Sequence, residues 1–340
     1  MRTVTLGKTG ITVNKNGFGA LPIQRISEEE AVKLLHKAYD HGINFYDTAR
    51  FYTDSEKKLG KAFSDRRDSI YIASKTMAET PEKFWEDLET TLSNLKTDYL
   101  DIYQFHNPAF CPKPGDGSGL YEAMLEAKEQ GKVRHIGITN HRIAVAEEAV
   151  KCGLYETLQY PFSYLSIDRE LALVEACKEA NIGFLAMKGL AGGLINNSAA
   201  AYAYMLPYQH VLPLWGVQRE WELDEFLSYQ ENEPVLEGEI KEVVEKDLKE
   251  LQDDFCRGCG YCQPCPVGIE IFNCARMSLM IRRAPSQAQL TEGMQAKMKM
   301  IEKCLHCGKC SAKCPYGLDT PALLEKNYQD YQEILAGKAY

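Results

Sequence analysis

The amino-acid sequence predicts an α/β chain: a (β/α)8 TIM barrel followed by a small helical domain organised around cysteines. Three observations carry this. Short apolar runs alternate with helix-length amphipathic stretches as far as about Gln230, the pattern of a parallel sheet with crossover helices. The G-x-G-x-x-G fingerprint of a doubly wound dinucleotide fold is missing, which favours the closed barrel. Nine of the twelve cysteines crowd between Cys256 and Cys314.

The elements follow in order. Val4-Thr5-Leu6, a turn at Gly7-Lys8-Thr9-Gly10 and Ile11-Thr12-Val13 open the chain. Gly17-Phe18-Gly19 reads as a Gly-rich turn. Strands are expected at 44–47, 70–73, 99–105, 133–138, 157–159, 182–186 and 210–214. Helical patterns fill Glu28 to Asp40, Pro81 to Leu95, Leu120 to Glu129 and Arg169 to Ala180. Ser27 and Glu30 form a capping box at the first of these. Beyond Tyr229 the composition turns acidic, and Ile240, Val243, Val244, Leu248 and Leu251 repeat at helical spacing. The expected organisation is a barrel over 1–230, an acidic linker helix over 231–252 and a cysteine domain over 253–340. A further helix is expected from Glu292 to Lys303.

The totals exclude several classes. The net charge of −9 offers no global attraction to nucleic acid or an anionic membrane. No apolar run reaches the roughly 20 residues of a membrane helix. The first ten residues carry no apolar signal core, and the expected address is the cytoplasm. In that reducing compartment, clustered cysteines point to metal rather than to disulfides.

The first cysteine run is Cys256-x-x-Cys259-x-x-Cys262-x-x-Cys265-Pro266. The second is Cys304-x-x-Cys307-x-x-Cys310-x-x-x-Cys314-Pro315. Spacing of two lets three thiolates of one tight loop bind three irons of a cubane, while the cysteine before proline serves the other cluster. Such a run crowds a tetrahedral zinc ion. Two [4Fe-4S] clusters are therefore expected. Cys256, Cys259, Cys262 and Cys314 would hold one, and Cys304, Cys307, Cys310 and Cys265 the other. The first run is one residue short before Cys265, which leaves Cys274 as the alternative eighth ligand. The region resembles a bacterial two-cluster ferredoxin.

Polar residues also fall at consecutive strand ends: Asp47 and Tyr52, then Lys75, then His106. In a (β/α)8 barrel those ends share the face that carries chemistry. The stretch Asp47-Thr48-Ala49-Arg50-Phe51-Tyr52-Thr53-Asp54-Ser55-Glu56 resembles the signature of the aldo-keto reductase superfamily. Ala73-Ser74-Lys75 and Gln104-Phe105-His106-Asn107-Pro108 resemble its other catalytic stretches, in order. The whole chain looks like the ferredoxin-fused branch of that superfamily.

The resemblance implies an oxidoreductase acting on a carbonyl or alcohol, with Tyr52 as general acid. Lys75 would lower the pKa of Tyr52, Asp47 would hold Lys75 charged, and His106 would orient the carbonyl oxygen. It also implies NADH or NADPH as cofactor, with Asn140 and Gln159 at the nicotinamide amide. Asn140 reads equally well as an N-cap for the helix at Arg142 to Lys151. Met187, Lys188 and Gly189 stand where an aromatic partner of the nicotinamide is common. After the eighth strand come Trp215-Gly216-Val217-Gln218-Arg219-Glu220-Trp221-Glu222, the expected phosphate end of the dinucleotide. Glu220 and Glu222 would repel a 2′-phosphate, so NADH is the expected choice. The expected partners are a small carbonyl or alcohol substrate and a ferredoxin or other electron carrier. The alternatives are a carbonyl reductase with structural or sensing clusters, and an electron-transfer protein with the barrel as scaffold.

Overall fold

The computed structural model describes residues 2–251, 255–283 and 286–339. The boundary expected between 252 and 253 and the terminal residue 340 lie outside them. The chain divides into two compact units. One comprises Met1–Gly189 and Tyr202–Val235; the other comprises Leu190–Ala201 and Leu236–Tyr340.

The first unit opens with an antiparallel hairpin, β1 (Thr3–Thr5) and β2 (Thr12–Asn14). Eight parallel strands then close a barrel: β3 (Gly17–Gly19), β4 (Phe45–Asp47), β5 (Tyr71–Thr76), β6 (Leu100–His106), β7 (Val133–Thr139), β8 (Thr157–Pro161), β9 (Gly183–Met187) and β10 (Val211–Gly216). Leu214 pairs with Gly17 and Gly216 with Gly19 to complete the ring. The connecting helices are α1 (Glu28–Asp40), α2 (Ser55–Phe63), α3 (Pro81–Leu95), α4 (Leu120–Glu129), α5 (Ile143–Cys152), α6 (Asp168–Glu179), α7 (Ser198–Met205) and α8 (Glu220–Glu231).

Gly17-Phe18-Gly19, expected as a turn, is instead the first barrel strand. Glycine there reflects close approach. A Cβ at Gly17 would meet the Leu214 Cδ2 at 2.7 Å and the Pro213 carbonyl at 3.0 Å. The capping box is formed as expected, with Glu30 N–H donating to Ser27 Oγ and Ser27 N–H to Glu30 Oε2. Val4, Leu6, Ile11 and Val13 of the hairpin region pack against Phe45, Ile102, Leu185 and Leu212. They seal the N-terminal mouth, which leaves the opposite mouth for ligands.

The second unit is helical: α9 (Gly238–Glu250), α10 (Ile271–Cys274), α11 (Met277–Arg283), α12 (Ser286–Gln289), α13 (Glu292–Lys299), α14 (Lys309–Lys313) and α15 (Thr320–Leu335). The acidic helix starts later than expected, because Glu231 ends α8 and Asn232 to Glu237 break the pattern. Its anchor is electrostatic: the buried Arg283 donates to Asp247 and Glu250 of α9 and to the Leu194 carbonyl. The core gathers Ile271, Met277, Ile281, Met298, Ile301, Leu324 and Tyr331, and Cys256, Cys262, Cys265 and Cys304 pack against it. Among the described residues, no helix is long and apolar enough to cross a membrane.

Candidate active site and cysteine cavities

Parallel pairing puts the C-terminal ends of β4, β5 and β6 side by side. There Lys75 Nζ donates to Asp47 Oδ1 at 2.7 Å, Asp47 Oδ2 at 2.8 Å and the Thr48 carbonyl at 2.5 Å. Three acceptors use all three ammonium hydrogens. Both partners are buried. Burial pushes the Asp47 carboxyl up and the Lys75 ammonium down, while the pair's own attraction and hydrogen bonds oppose both movements.

Tyr52 sits on the turn between β4 and α2, where its N–H donates to the Ala49 carbonyl and its carbonyl accepts from Ser55. Its ring lies 5.2 Å from Lys75 Nζ. The His106 ring meets the Tyr52 ring edge-on, with centroids 5.9 Å apart. Burial first, and the Lys75 charge second, depress the His106 pKa to about 3. The imidazole is therefore neutral near pH 7. Its Nδ1 is buried without a protein partner. The four polar residues expected at the strand ends thus come together at one mouth of the barrel.

Gln159 on β8 donates from Nε2 to Asp47 Oδ2 at 3.3 Å, and its Oε1 accepts from Gln104 Nε2 at 2.8 Å. Asn140 follows β7; its Nδ2 donates to the Pro108 carbonyl and its Oδ1 accepts from Arg142 N–H. The N-cap of α5 is Arg142 itself, so Asn140 makes a side-chain turn before the helix rather than capping it. Met187 ends β9 and accepts a weak bond from Thr139 Oγ1. Lys188 has left-handed backbone at φ 58, and Gly189 lies against the Trp215 indole. Gly216 ends β10 beside Pro22.

Two residues escaped the sequence reading. Gln104 precedes His106 by two positions on β6, and strand alternation points both to one side. Its Oε1 is buried without a partner, an unused acceptor beside Gln159. Glu56, buried on α2, accepts from Ser74, Thr91, Asn94 and Arg50. Its field acts to keep Lys75 charged. The orphaned atoms of His106, Gln104 and Gln218 suit a polar ligand such as a nicotinamide dinucleotide, which would supply their missing bonds.

In the second unit the cysteines surround two cavities, of about 360 and 410 Å³ including space open to solvent. Cys256, Cys259, Cys262 and Cys314 line the smaller. Cys265, Cys304, Cys307 and Cys310 line the larger, which Cys262 also reaches. Neither lining contains a carboxylate or an imidazole. A soft all-thiol donor set around a volume, rather than a point, fits iron–sulfur clusters. Gln263 holds the short first run: its Oε1 accepts from Cys265 N–H and its Nε2 donates to the Ile269 carbonyl. Cys274 is fully buried in the helical core, its Sγ facing the Lys297 carbonyl, and burial pushes the thiol up to about 12.

The model of the aldo/keto reductase family matches residues 15–211, more than half of the chain. The chain belongs to the aldo/keto reductase family. Residues 255–319 match a 4Fe-4S dicluster domain, so this member of a family of oxidoreductases carries an iron–sulfur domain after its barrel in the sequence. Similar curated proteins include the oxidoreductase YrpG of Bacillus subtilis, 28% identical over 58% of this chain and 69% of its own. L-galactose dehydrogenase of Arabidopsis thaliana is 30% identical over 56% of this chain and 66% of its own. The chain spans about two thirds of the length of these relatives. Among solved structures, the thermostable aldo-keto reductase Tm1743 bound to epalrestat aligns with TM-score 0.60 and 26% identity, over 73% of this chain and all of its own. An aldo-keto reductase of Klebsiella pneumoniae in complex with NADPH has TM-score 0.61 at 22% identity, over 72% and 94% of the two chains. The latter likeness speaks for the barrel fold.

At the end of β10 the residues expected at the phosphate end of a dinucleotide already bond to one another or to α1. Glu222 Oε2 accepts from Gln218 and Arg219 N–H at the start of α8. Glu220 pairs with Lys33 and Lys37 of α1, which offsets its charge.

Proposed function

We propose that this aldo/keto reductase reduces the carbonyl group of a small molecule, or oxidises the matching alcohol, with a nicotinamide dinucleotide. The observation that supports this best is the buried Lys75–Asp47 pair beneath Tyr52, with the His106 ring at its edge. When bound, the nicotinamide supplies or accepts the hydride at the reacting carbon. In reduction, Tyr52 Oη donates its proton to the carbonyl oxygen as negative charge develops there, and solvent restores it. Lys75 favours the phenolate that remains, and Asp47 keeps Lys75 in place and charged. His106, neutral, orients the carbonyl oxygen by a hydrogen bond.

Asn140 and Gln159 would hold the carboxamide, and Met187, Lys188, Gly189 and Gly216 would border the dinucleotide. NADH is the proposed choice over NADPH, because Arg219, Lys33 and Lys37 are paired with carboxylates at the phosphate end. Tighter binding of NADPH, measured by fluorescence titration, would sink that choice.

In the iron–sulfur domain the eight thiols would act crosswise: Cys256, Cys259, Cys262 and Cys314 on one cluster; Cys304, Cys307, Cys310 and Cys265 on the other. The lining of the two cavities supports this division. Cys274 is left to packing. The division of labour would follow a barrel over 1–230, a linker over 231–252 and a cluster domain over 253–340, in a cytoplasmic protein. A hydride brings two electrons and each cluster takes one, so a ferredoxin or other one-electron carrier is the proposed partner. In a second reading the clusters are structural, which the packing of Cys256, Cys262, Cys265 and Cys304 against the helical core favours.

The deciding experiment uses anaerobically purified protein with iron confirmed. NADH is added alone, then with a panel of aldehydes and ketones, while cluster absorbance and electron paramagnetic resonance are followed. Cluster reduction by NADH supports electron exchange between the halves. NADH oxidation with silent clusters supports the structural reading. No turnover with any carbonyl or alcohol would overturn the proposed reaction.

A further inference from the structure

Arg276 stands between α10 and α11 in the second unit. Its Nη1 donates to the Gly192 carbonyl at 2.7 Å. Its Nε is buried and has no partner. Gly258 lies between Cys256 and Cys259 with φ +60, and a Cβ there would meet Arg276 Cζ and Nη1 at 2.7 Å. The guanidinium therefore rests against the backbone that carries those two cysteines. Among the described residues Arg276 makes no ion pair with a carboxylate, and its guanidinium faces the loop between Cys256 and Cys259.

A partly buried cation without a carboxylate carries a cost, as does a buried N–H without an acceptor. A cubane with four thiolates answers both needs. It is net negative, more so by one charge after reduction, and its sulfurs accept hydrogen bonds. A fixed positive charge beside it stabilises the reduced form more than the oxidised form. The reduction potential then rises.

We propose that Arg276 is a positioning residue that raises the reduction potential of the cluster held by Cys256, Cys259, Cys262 and Cys314. It does so as a fixed charge and as a donor toward the cluster, while its bond to Gly192 holds the guanidinium in place. This rests on the crosswise ligand set proposed above.

The test is a dithionite titration of the iron-loaded parent, R276Q and R276K, followed by electron paramagnetic resonance. The parent must first carry about eight irons per chain; a lower count overturns the cluster reading and this inference with it, before any variant is read. In R276Q one cluster should become at least tenfold harder to reduce, a fall of about 59 mV for one electron. The other cluster should stay within twofold of the parent. R276K keeps the charge and should fall less than R276Q. Equal movement of both clusters, or of neither, overturns the proposal. An R276K shift as large as that of R276Q overturns the charge effect. If R276Q does not load iron, the parent labelled with ¹⁵N-arginine decides by pulsed resonance. Arg257 also lines the smaller cavity, so the labelled R257K variant is measured beside the parent. An arginine nitrogen coupled to one reduced cluster in both supports the assignment, and its absence from R257K overturns it.

Discussion

Lys75 is a tightly held side chain of the barrel. It is nearly fully buried, and its three hydrogens are matched to the Asp47 carboxylate and the Thr48 carbonyl. Removing one partner of such a pair strands the other, at a cost of about 3–5 kcal/mol. Lys75→Met should lose that much stability in urea, and Asp47→Leu added to it should recover part of the loss. Tyr52→Phe should lower kcat/KM for carbonyl reduction by about 10²–10⁴-fold while the melting curve and cluster absorbance stay unchanged; retained turnover would remove Tyr52 from the mechanism. His106 makes a pH prediction. Its native pKa, about 3, lies below the ordinary value of 6.5, so the unfolded chain binds more protons between those limits. The stability from keeping it neutral is complete above about pH 6.5 and is lost as pH falls toward 3. His106→Gln should flatten the acid side of the stability profile in that window; an unchanged slope would mean that His106 is not the group responsible.

Elements explain how short motifs become sites. The barrel strands are only three to seven residues long, and their parallel register brings Asp47, Lys75 and His106 to one mouth. Asp47 and Lys75 are legible in the sequence because each follows or ends a short apolar run. Gln104 was equally legible from alternation, but its partner Gln159 lies 55 residues away and only the barrel joins them. Gly17 and Gly19 were misread because glycine signals a turn in isolation, whereas here it answers the close approach of β10. In the cluster domain, the Gln263 side chain holds the Cys265 backbone and Cys274 packs inside the helices. Cys265→Ala should remove about half of the bound iron, and Cys274→Ala should leave the iron count unchanged. The reverse pattern would make Cys274 the eighth ligand.

At the scale of the molecule, two compact units share one chain, and their cores are chemically different. The barrel core is aliphatic and aromatic where the hairpin fills one mouth, and carries buried polar pairs such as Lys75–Asp47 at the other. The second unit packs its helices against the very cysteines proposed to hold iron. Its stability should therefore depend on metal. Iron removal by an anaerobic chelator should lower the helical unit's melting transition while the Lys75-centred barrel transition holds. A single unchanged transition in calorimetry would mean that the clusters contribute little to the fold.

The amino-acid sequence by itself determined the alternation that makes a barrel, the cysteine spacing that suits cubanes and the order of Asp47, Tyr52, Lys75 and His106. These are local patterns, and local patterns follow from period, turn chemistry and ligand spacing over a few residues. Tertiary structure alone decided that Cys265 lines the larger cavity while Cys274 is enclosed in apolar packing, and that Glu56, Gln104 and Arg276 stand where their charges or amides act. Those outcomes depend on residues far apart in the chain that meet only after the strands close and the helices pack, because burial and proximity belong to the folded chain and not to any segment of it.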